Sequence, residues 1–261
     1  MSALPLPANP LSTSDPWSEL RRFTDARIAL GSVGASLRTS EVLAFSMAHA
    51  RARDAVHLPF DPDTLAASFE AAGFPTLRAR SQAANRLQYL SRPDLGRRLD
   101  PTSIPALTSS ETAPLNRLTV IVADGLSSLA PSTHALPLLL ELRARLTRWT
   151  IDSVVLATQA RVALGDEIGA LRHAEAVVML LGERPGLSSI DSLGLYLTYT
   201  PRPGRTDAER NCISNIRRGG LSYAESANKV HHLLAASRLA GGSGIAIKDL
   251  SVSDTRPSAL P

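Results

Sequence analysis

Leu118-Thr119-Val120-Ile121-Val122-Ala123-Asp124-Gly125-Leu126-Ser127 is the stretch around which the rest of the chain is organised. The unbroken apolar and β-branched run from Leu118 to Ala123 suits a strand buried on both faces, and the Asp-Gly-Leu-Ser after it suits a turn and a helix start. Working outward, residues 135–146 read as a helix, 151–157 as a second strand, 162–172 as a short helix and 176–181 as a third apolar strand. Strand, helix, strand, helix, strand predicts a doubly wound α/β sheet of parallel type. Residues 193–200 add a strand, 222–239 a long helix whose polar side carries Glu225, Lys229 and His232, and 244–247 a last short strand.

The N-terminal half has another character. Residues 1–15, rich in Pro, Ser and Ala, read as a loose arm. Residues 16–100 read as a mainly helical domain. Asp15-Pro16 marks a helix start and the run through Leu30 is its body, ended by Gly31 and Gly34. A second helix begins at Thr39-Ser40-Glu41 with Leu43, Ala44, Met47 and Ala48 as its apolar stripe, and residues 61–72 form a third. The alternation in residues 85–90 suits a short extended piece, and three arginines surround a turn in residues 91–99. Residues 101–116, rich in Pro, Thr and Ser, read as the linker to an α/β domain spanning 117–261.

Composition narrows the function classes. A chain of 261 residues with 44% hydrophobic and 20% charged residues is ordinary for a globular protein. No apolar run approaches the ~20 residues of a membrane helix, and the first 17 residues lack a signal-peptide pattern, so the cytoplasm is the default. Lysine occurs only at Lys229 and Lys248, so removing these two from the 28 basic residues leaves 26 arginines. Guanidinium forks suit phosphates and carboxylates, yet aromatics make up only 4% of the chain and the arginines alternate with acids, which argues against a nucleic-acid surface.

In doubly wound sheets, ligands lie beyond the carboxyl ends of the strands. Here that edge is formed by residues 124–128, 159–166 and 182–189. The turn after the first strand has one glycine, so a dinucleotide fingerprint is lacking, as are a P-loop, H-E-x-x-H and G-x-S-x-G. His231 and His232 are adjacent on a helix and point in different directions, so no metal site is expected. Cys212 is the only cysteine. It reads either as a nucleophile whose thiolate Arg210 would favour, or as a structural thiol. No histidine lies within twenty residues before it or ten after it.

A resemblance supplies the function. Gly182-Glu183-Arg184-Pro185-Gly186-Leu187, Tyr199-x-Pro201-Arg202, the run from Asp207 to Ile216 (DAERNCISNI) and Gly219-Gly220 resemble the small (light) subunit of ethanolamine ammonia-lyase. Supporting segments, in the family's order, are Val122 to Ser127, Arg92 to Leu99 and Leu20 to Arg27. The resemblance implies an adenosylcobalamin-dependent enzyme that turns ethanolamine into acetaldehyde and ammonia by a radical route. It implies a Rossmann-like C-terminal domain behind a smaller helical one, with cobalamin held at the interface with a large subunit that supplies the catalytic residues. The assembly implied is a hexamer of large–small pairs, often associated with a bacterial microcompartment. Three cofactor contacts are implied on this chain: Val162 in Gln159-Ala160-Arg161-Val162, Glu183 of the Gly-Glu-Arg-Pro-Gly motif, and Cys212. Two other readings stand beside this one, a self-contained enzyme with Cys212 as nucleophile and a non-enzymatic interaction module.

Overall fold

The computed structural model describes residues 12–13, 15–109 and 116–248. The short strands β1 (Ser12–Thr13) and β2 (Ser32–Val33) pair with each other, and they are followed by helices α1 (Thr39–His57) and α2 (Pro62–Ala71). Then come β3 (Thr76–Arg80), α3 (Arg86–Ser91) and the single turn α4 (Ile104–Leu107). The second half runs β4 (Leu118–Ala123), α5 (Leu129–Arg145), β5 (Val154–Thr158), α6 (Leu164–Leu171), β6 (Ala176–Gly182), β7 (Leu193–Tyr199), β8 (Asn211–Ile216) and α7 (Tyr223–Ala240).

Six strands form one sheet in the order β3-β5-β4-β6-β7-β8. β3, β5, β4 and β6 run parallel, while β7 and β8 are antiparallel to their neighbours. The chain is therefore α/β with a mixed sheet rather than one of purely parallel type. The reason lies in the ten residues 183–192 between β6 and β7, which contain no helix, so the chain turns back beside β6 instead of crossing over.

β4 and β6 are buried along their whole length, which is why they read as unbroken apolar runs. Val120, Val122, Val178 and Leu180 face a core closed by α2, α5 and α7, with Phe69, Leu138, Leu142, Val230 and Leu234 packed there. Ile121, Ala123, Met179 and Leu181 face the second core, closed by Leu107, Leu164 and Ile168. After β4 the chain places β5 on one side and β6 on the other, so neighbouring crossovers leave in opposite directions there. This switch opens a crevice at the carboxyl ends.

Several local expectations change. The segment expected to be extended over residues 85–90 is instead the start of α3, Arg86–Ser91, because the Asn85 side chain accepts from the Gln88 N–H at 2.9 Å and caps the helix. The expected helix over residues 18–30 shrinks to a 3-10 turn, Ser18–Phe23, with no buried residue to hold it. The stripe on α1 faces outward: Leu43 is 65% and Met47 56% exposed, and Ala55 is the only buried residue of that helix. Residues 244–247 form a loop, clasped by Asn211, whose Nδ2 donates to the carbonyls of Gly244 (3.0 Å) and Ile247 (3.2 Å). Strands β3 and β8 lie in segments for which the sequence predicted no strand. No helix among the described residues is long and apolar enough to cross a membrane.

Candidate functional site

The floor of the crevice is main chain. A Cβ on Gly182, at the end of β6, would lie 1.8 Å from the Ser127 carbonyl oxygen, and one on Gly125 would lie 2.4 Å from the Gly182 oxygen. Gly125 also has φ +55°, in the left-handed region, so both positions need glycine. The Leu126 N–H donates to the Gly182 carbonyl at 2.8 Å and closes the contact.

Beneath this floor sits Asp124, 1% exposed. Its carboxylate accepts from the N–H groups of Gly125 (3.0 Å), Gln159 (3.0 Å) and Ala160 (3.2 Å) and from Arg86 Nη1 (3.4 Å). Gln159 adopts φ 56°, which lets two successive N–H groups converge on one anion. Burial pushes the Asp124 carboxyl up to about 6, against the opposing pull of Arg86 and the three N–H donors. Every donor that Asp124 meets holds a loop in place, so it ties the ends of β4 and β5 to α3.

The walls come from α3, from the loop after β5 and from the β6–β7 edge. The Tyr89 ring packs against two guanidinium groups, Arg86 at 4.9 Å and Arg161 at 4.2 Å from its centroid, and its hydroxyl donates to the Ala160 carbonyl at 3.2 Å. Val162 is half-buried and packs on the second core. Glu183 accepts from Ser192 Oγ at 2.5 Å and from the Asn215 N–H at 3.4 Å, which holds its carboxylate over β7. Tyr196 on β7 is paired across the ladder with Cys212 on β8.

Three adjoining cavities make up the crevice. One of about 420 Å³ is lined by Gly125, Val162, Glu183 and Tyr196 among others. A second of about 310 Å³ includes Val162, Tyr196 and Cys212. A third of about 470 Å³ reaches His49 and Arg53 of α1 on one side and Pro185 and Leu187 on the other. Val162, Glu183 and Cys212, named from three separate segments of sequence, thus line one continuous surface. The sequence reading missed Tyr89 and Tyr196 as wall residues. Tyr89 lies in the segment taken as extended, and Tyr196 acquires its place only through an antiparallel pairing.

Cys212 is exposed and free. Partial burial of the thiol and, to a lesser degree, the Glu183 carboxylate push its pKa above the ordinary cysteine value, although the Tyr196 hydroxyl pulls the other way. Arg210 does not activate it: that guanidinium is buried and committed to Asp166, with Nη1–Oδ1 and Nη2–Oδ2 both at 2.6 Å. No histidine lines either cavity that Cys212 touches. A cysteine so placed has neither the lowered pKa nor the neighbouring base that activates a thiol nucleophile.

A larger groove, about 560 Å³, lies near the C-terminal ends of α5 and α7 and is lined by Arg145, Trp149 and Arg238. It adjoins the amino ends of β4 and β5, away from the crevice.

Fold and crevice together define an α/β protein with an open cleft at the carboxyl edge of a mixed sheet, beside a helix whose apolar residues stay uncovered. The family model described as ethanolamine ammonia-lyase light chain (EutC) matches residues 14–248, and the chain belongs to that family. It is accordingly one subunit of a lyase assembled from unlike chains. Curated relatives called ethanolamine ammonia-lyase small subunit include one from Ralstonia nicotianae, 51% identical over 241 residues, covering 91% of this chain and 89% of that protein. One from Azotobacter vinelandii is 52% identical, covering 91% and 90%. Another, from Xanthomonas campestris pv. campestris, is 50% identical, covering 95% and 94%.

Proposed function

We propose that this chain is the small subunit of an adenosylcobalamin-dependent ethanolamine ammonia-lyase, and that its crevice covers the cofactor at the interface with a large subunit. On this reading residues 117–261 act as the main part of a Rossmann-like cobalamin-binding unit, and the mainly helical part at 16–100 adds β3 to its sheet and α3 to its crevice. The observation that carries the reading is the meeting of Val162, Glu183 and Cys212 on one surface.

The residues present fit the group. The rim of a corrin is set with amide side chains, each with a carbonyl acceptor and two N–H donors. Glu183 offers a carboxylate acceptor held by Ser192. Arg161 Nε and Gln159 Oε1 are buried atoms without a partner among the described residues, a donor and an acceptor left unspent beside the cleft. Val162 and Tyr196 offer apolar surface to the macrocycle. When bound, adenosylcobalamin supplies a carbon-centred radical through homolysis of its cobalt–carbon bond, the chemistry by which ethanolamine becomes acetaldehyde and ammonia. This chain's residues bind and orient the group and exclude water from one of its faces. Asp124 is spent on backbone donors and Cys212 stays protonated, which supports placing the substrate-transforming residues on the large subunit.

The uncovered apolar side chains of the N-terminal part, with Trp17 65% and Phe23 74% exposed beside Leu43 and Met47, suit burial against that partner. A hexamer of such pairs is the assembly this reading carries. Co-expression with a large subunit, followed by corrin absorption spectra and turnover of ethanolamine, tests it. Retained cobalamin and activity are expected only for the complex; full activity from the isolated chain would overturn the reading.

A further inference from the structure

The geometry points to Arg161 as the residue that receives the phosphodiester of the cofactor's nucleotide loop, an assignment that rests on the cobalamin reading above. Arg161 is the one residue that lines all three adjoining cavities of the crevice. Its side chain is fixed in advance. The stem lies against Gly96, where a Cβ would come within 2.9 Å of Arg161 Cγ, and the guanidinium stacks on Tyr89. The Arg161 N–H donates to the Gly96 carbonyl at 2.8 Å, and Nη2 donates to the Tyr89 carbonyl at 3.2 Å. Little conformational freedom is left to lose on binding.

What distinguishes this arginine is what it lacks. Its Nε is buried without a hydrogen bond, and among the described residues no carboxylate lies within ion-pair distance of it. The two neighbouring arginines each have a carboxylate, Arg86 paired with Asp124 at 3.4 Å and Arg210 with Asp166 at 2.6 Å, although Arg86 Nη2 is likewise buried without a hydrogen bond among the described residues. A partly desolvated guanidinium with unspent donors and no counter-ion favours an anion over a neutral acceptor, because its hydration is incomplete and no carboxylate compensates its charge. Arg97 and Arg184 stand exposed on the rims of the same cavities, with the carboxylates of Glu183 and Asp207 opposing them, so among the described residues the local half-buried positive charge that is not countered by an ion pair is that of Arg161. Cobalamin offers neutral amides around its ring and a single anionic group, the phosphodiester that joins the corrin to its nucleotide. The charge of Arg161 selects the phosphodiester.

The test uses the large–small complex, titrated with aquocobalamin and with cobinamide, which has the same corrin but no nucleotide or phosphate, and reads binding from the corrin absorption bands. Arg161→Gln is expected to weaken aquocobalamin binding by about tenfold or more, the size of a lost charged hydrogen bond, and to leave cobinamide binding nearly unchanged. Cobinamide binding by the variant also reports that the crevice is intact. Arg161→Lys, which keeps the charge without the fork, is expected to recover part of the affinity for aquocobalamin alone. Equal losses for the two ligands in both variants would overturn the phosphate assignment in favour of a ring amide. No loss for either ligand would remove Arg161 from the site. A wild-type complex that takes up cobinamide but shows no preference for aquocobalamin over it would also overturn the assignment while leaving the cobalamin reading standing. Failure to take up either corrin would overturn both.

Discussion

Arg210 and Asp166 face each other in a two-pronged ion pair that is almost wholly shielded from water, with 3% of either side chain exposed. The same guanidinium reaches Thr198 on β7 and the carbonyl of Arg205, so one side chain fastens α6 to the antiparallel edge that carries Cys212. Removing one partner strands the other charge in the interior. Arg210→Ala is expected to lower the unfolding free energy by about 3–5 kcal/mol in urea titrations followed by circular dichroism. Replacing both partners, Asp166→Leu with Arg210→Met, is expected to cost far less than either single change. Equal cost for the single and double variants would contradict an ion-pair origin.

Gly182→Ala drives a methyl group into the Ser127 carbonyl, which stands 1.8 Å from the position of the new Cβ. Neither neighbour is a flexible side-chain end, so the ends of β4 and β6 must separate. The expected loss is about 3 kcal/mol or more, at the upper end of overpacking effects, together with loss of cobalamin uptake by the complex. An unchanged melting temperature and normal uptake would show that the strand ends yield easily.

Asp124 gives a pH dependence of unusual sign. Its carboxyl is raised from 3.8 to about 6 by burial, so between these values the folded chain holds a proton that the unfolded chain has released. Stability from this group therefore falls as pH rises from about 4 to 6, by roughly 3 kcal/mol at ~1.4 kcal/mol per pKa unit. Asp124→Asn removes the titration and is expected to flatten that part of the stability profile relative to wild type. Parallel profiles for the two proteins across pH 4–7 would contradict the buried titration.

Much of this arrangement could be read from the sequence, for physical reasons. β4 and β6 are buried on both faces and so must be apolar throughout, and α5 and α7 each follow a strand with enough length to cross the sheet. The antiparallel edge was harder to foresee. β8, Asn211–Ile216, has one face in solvent and only two buried residues, so its composition resembles that of a loop. β3, Thr76–Arg80, carries two arginines because it lies at the other edge of the sheet, with one buried residue. The same limit applies to the site. Glu183 and Val162 follow the carboxyl ends of predicted strands, whereas Tyr89 reaches the crevice from α3, 71 residues before Ala160, whose carbonyl its hydroxyl meets.

Cys212 should behave as a reluctant thiol. Its pKa is raised, first by burial and then by Glu183, so alkylation by iodoacetamide in the full chain is expected to show a midpoint above the ~8.5 of a free cysteine. Cys212→Ser is expected to weaken cofactor binding by a small factor without abolishing turnover of the complex. An alkylation midpoint near neutrality, or a dead serine variant, would revive the nucleophile.

Glu183→Ala removes a carboxylate that Ser192 and the Asn215 N–H hold in place. With an amide N–H of the corrin as its partner, the expected loss of cobalamin affinity is roughly 10- to 100-fold, the range for hydrogen bonds to a charged group. Glu183→Gln keeps an acceptor and is expected to retain part of the binding. Equilibrium dialysis of the complex against cobalamin measures both; affinity unchanged in both variants would remove Glu183 from the site.

The main-chain contact between Gly125, Ser127 and Gly182 separates the shape of the crevice from its chemistry. The depth of the floor is set by atoms that every residue possesses, while recognition is left to side chains around it that carry none of that load. On the proposed cobalamin reading, a cleft made this way can be retuned at positions 161, 162, 183 and 196 for an altered corrin while its contour persists. That makes this edge of the sheet a natural starting point for re-engineering specificity.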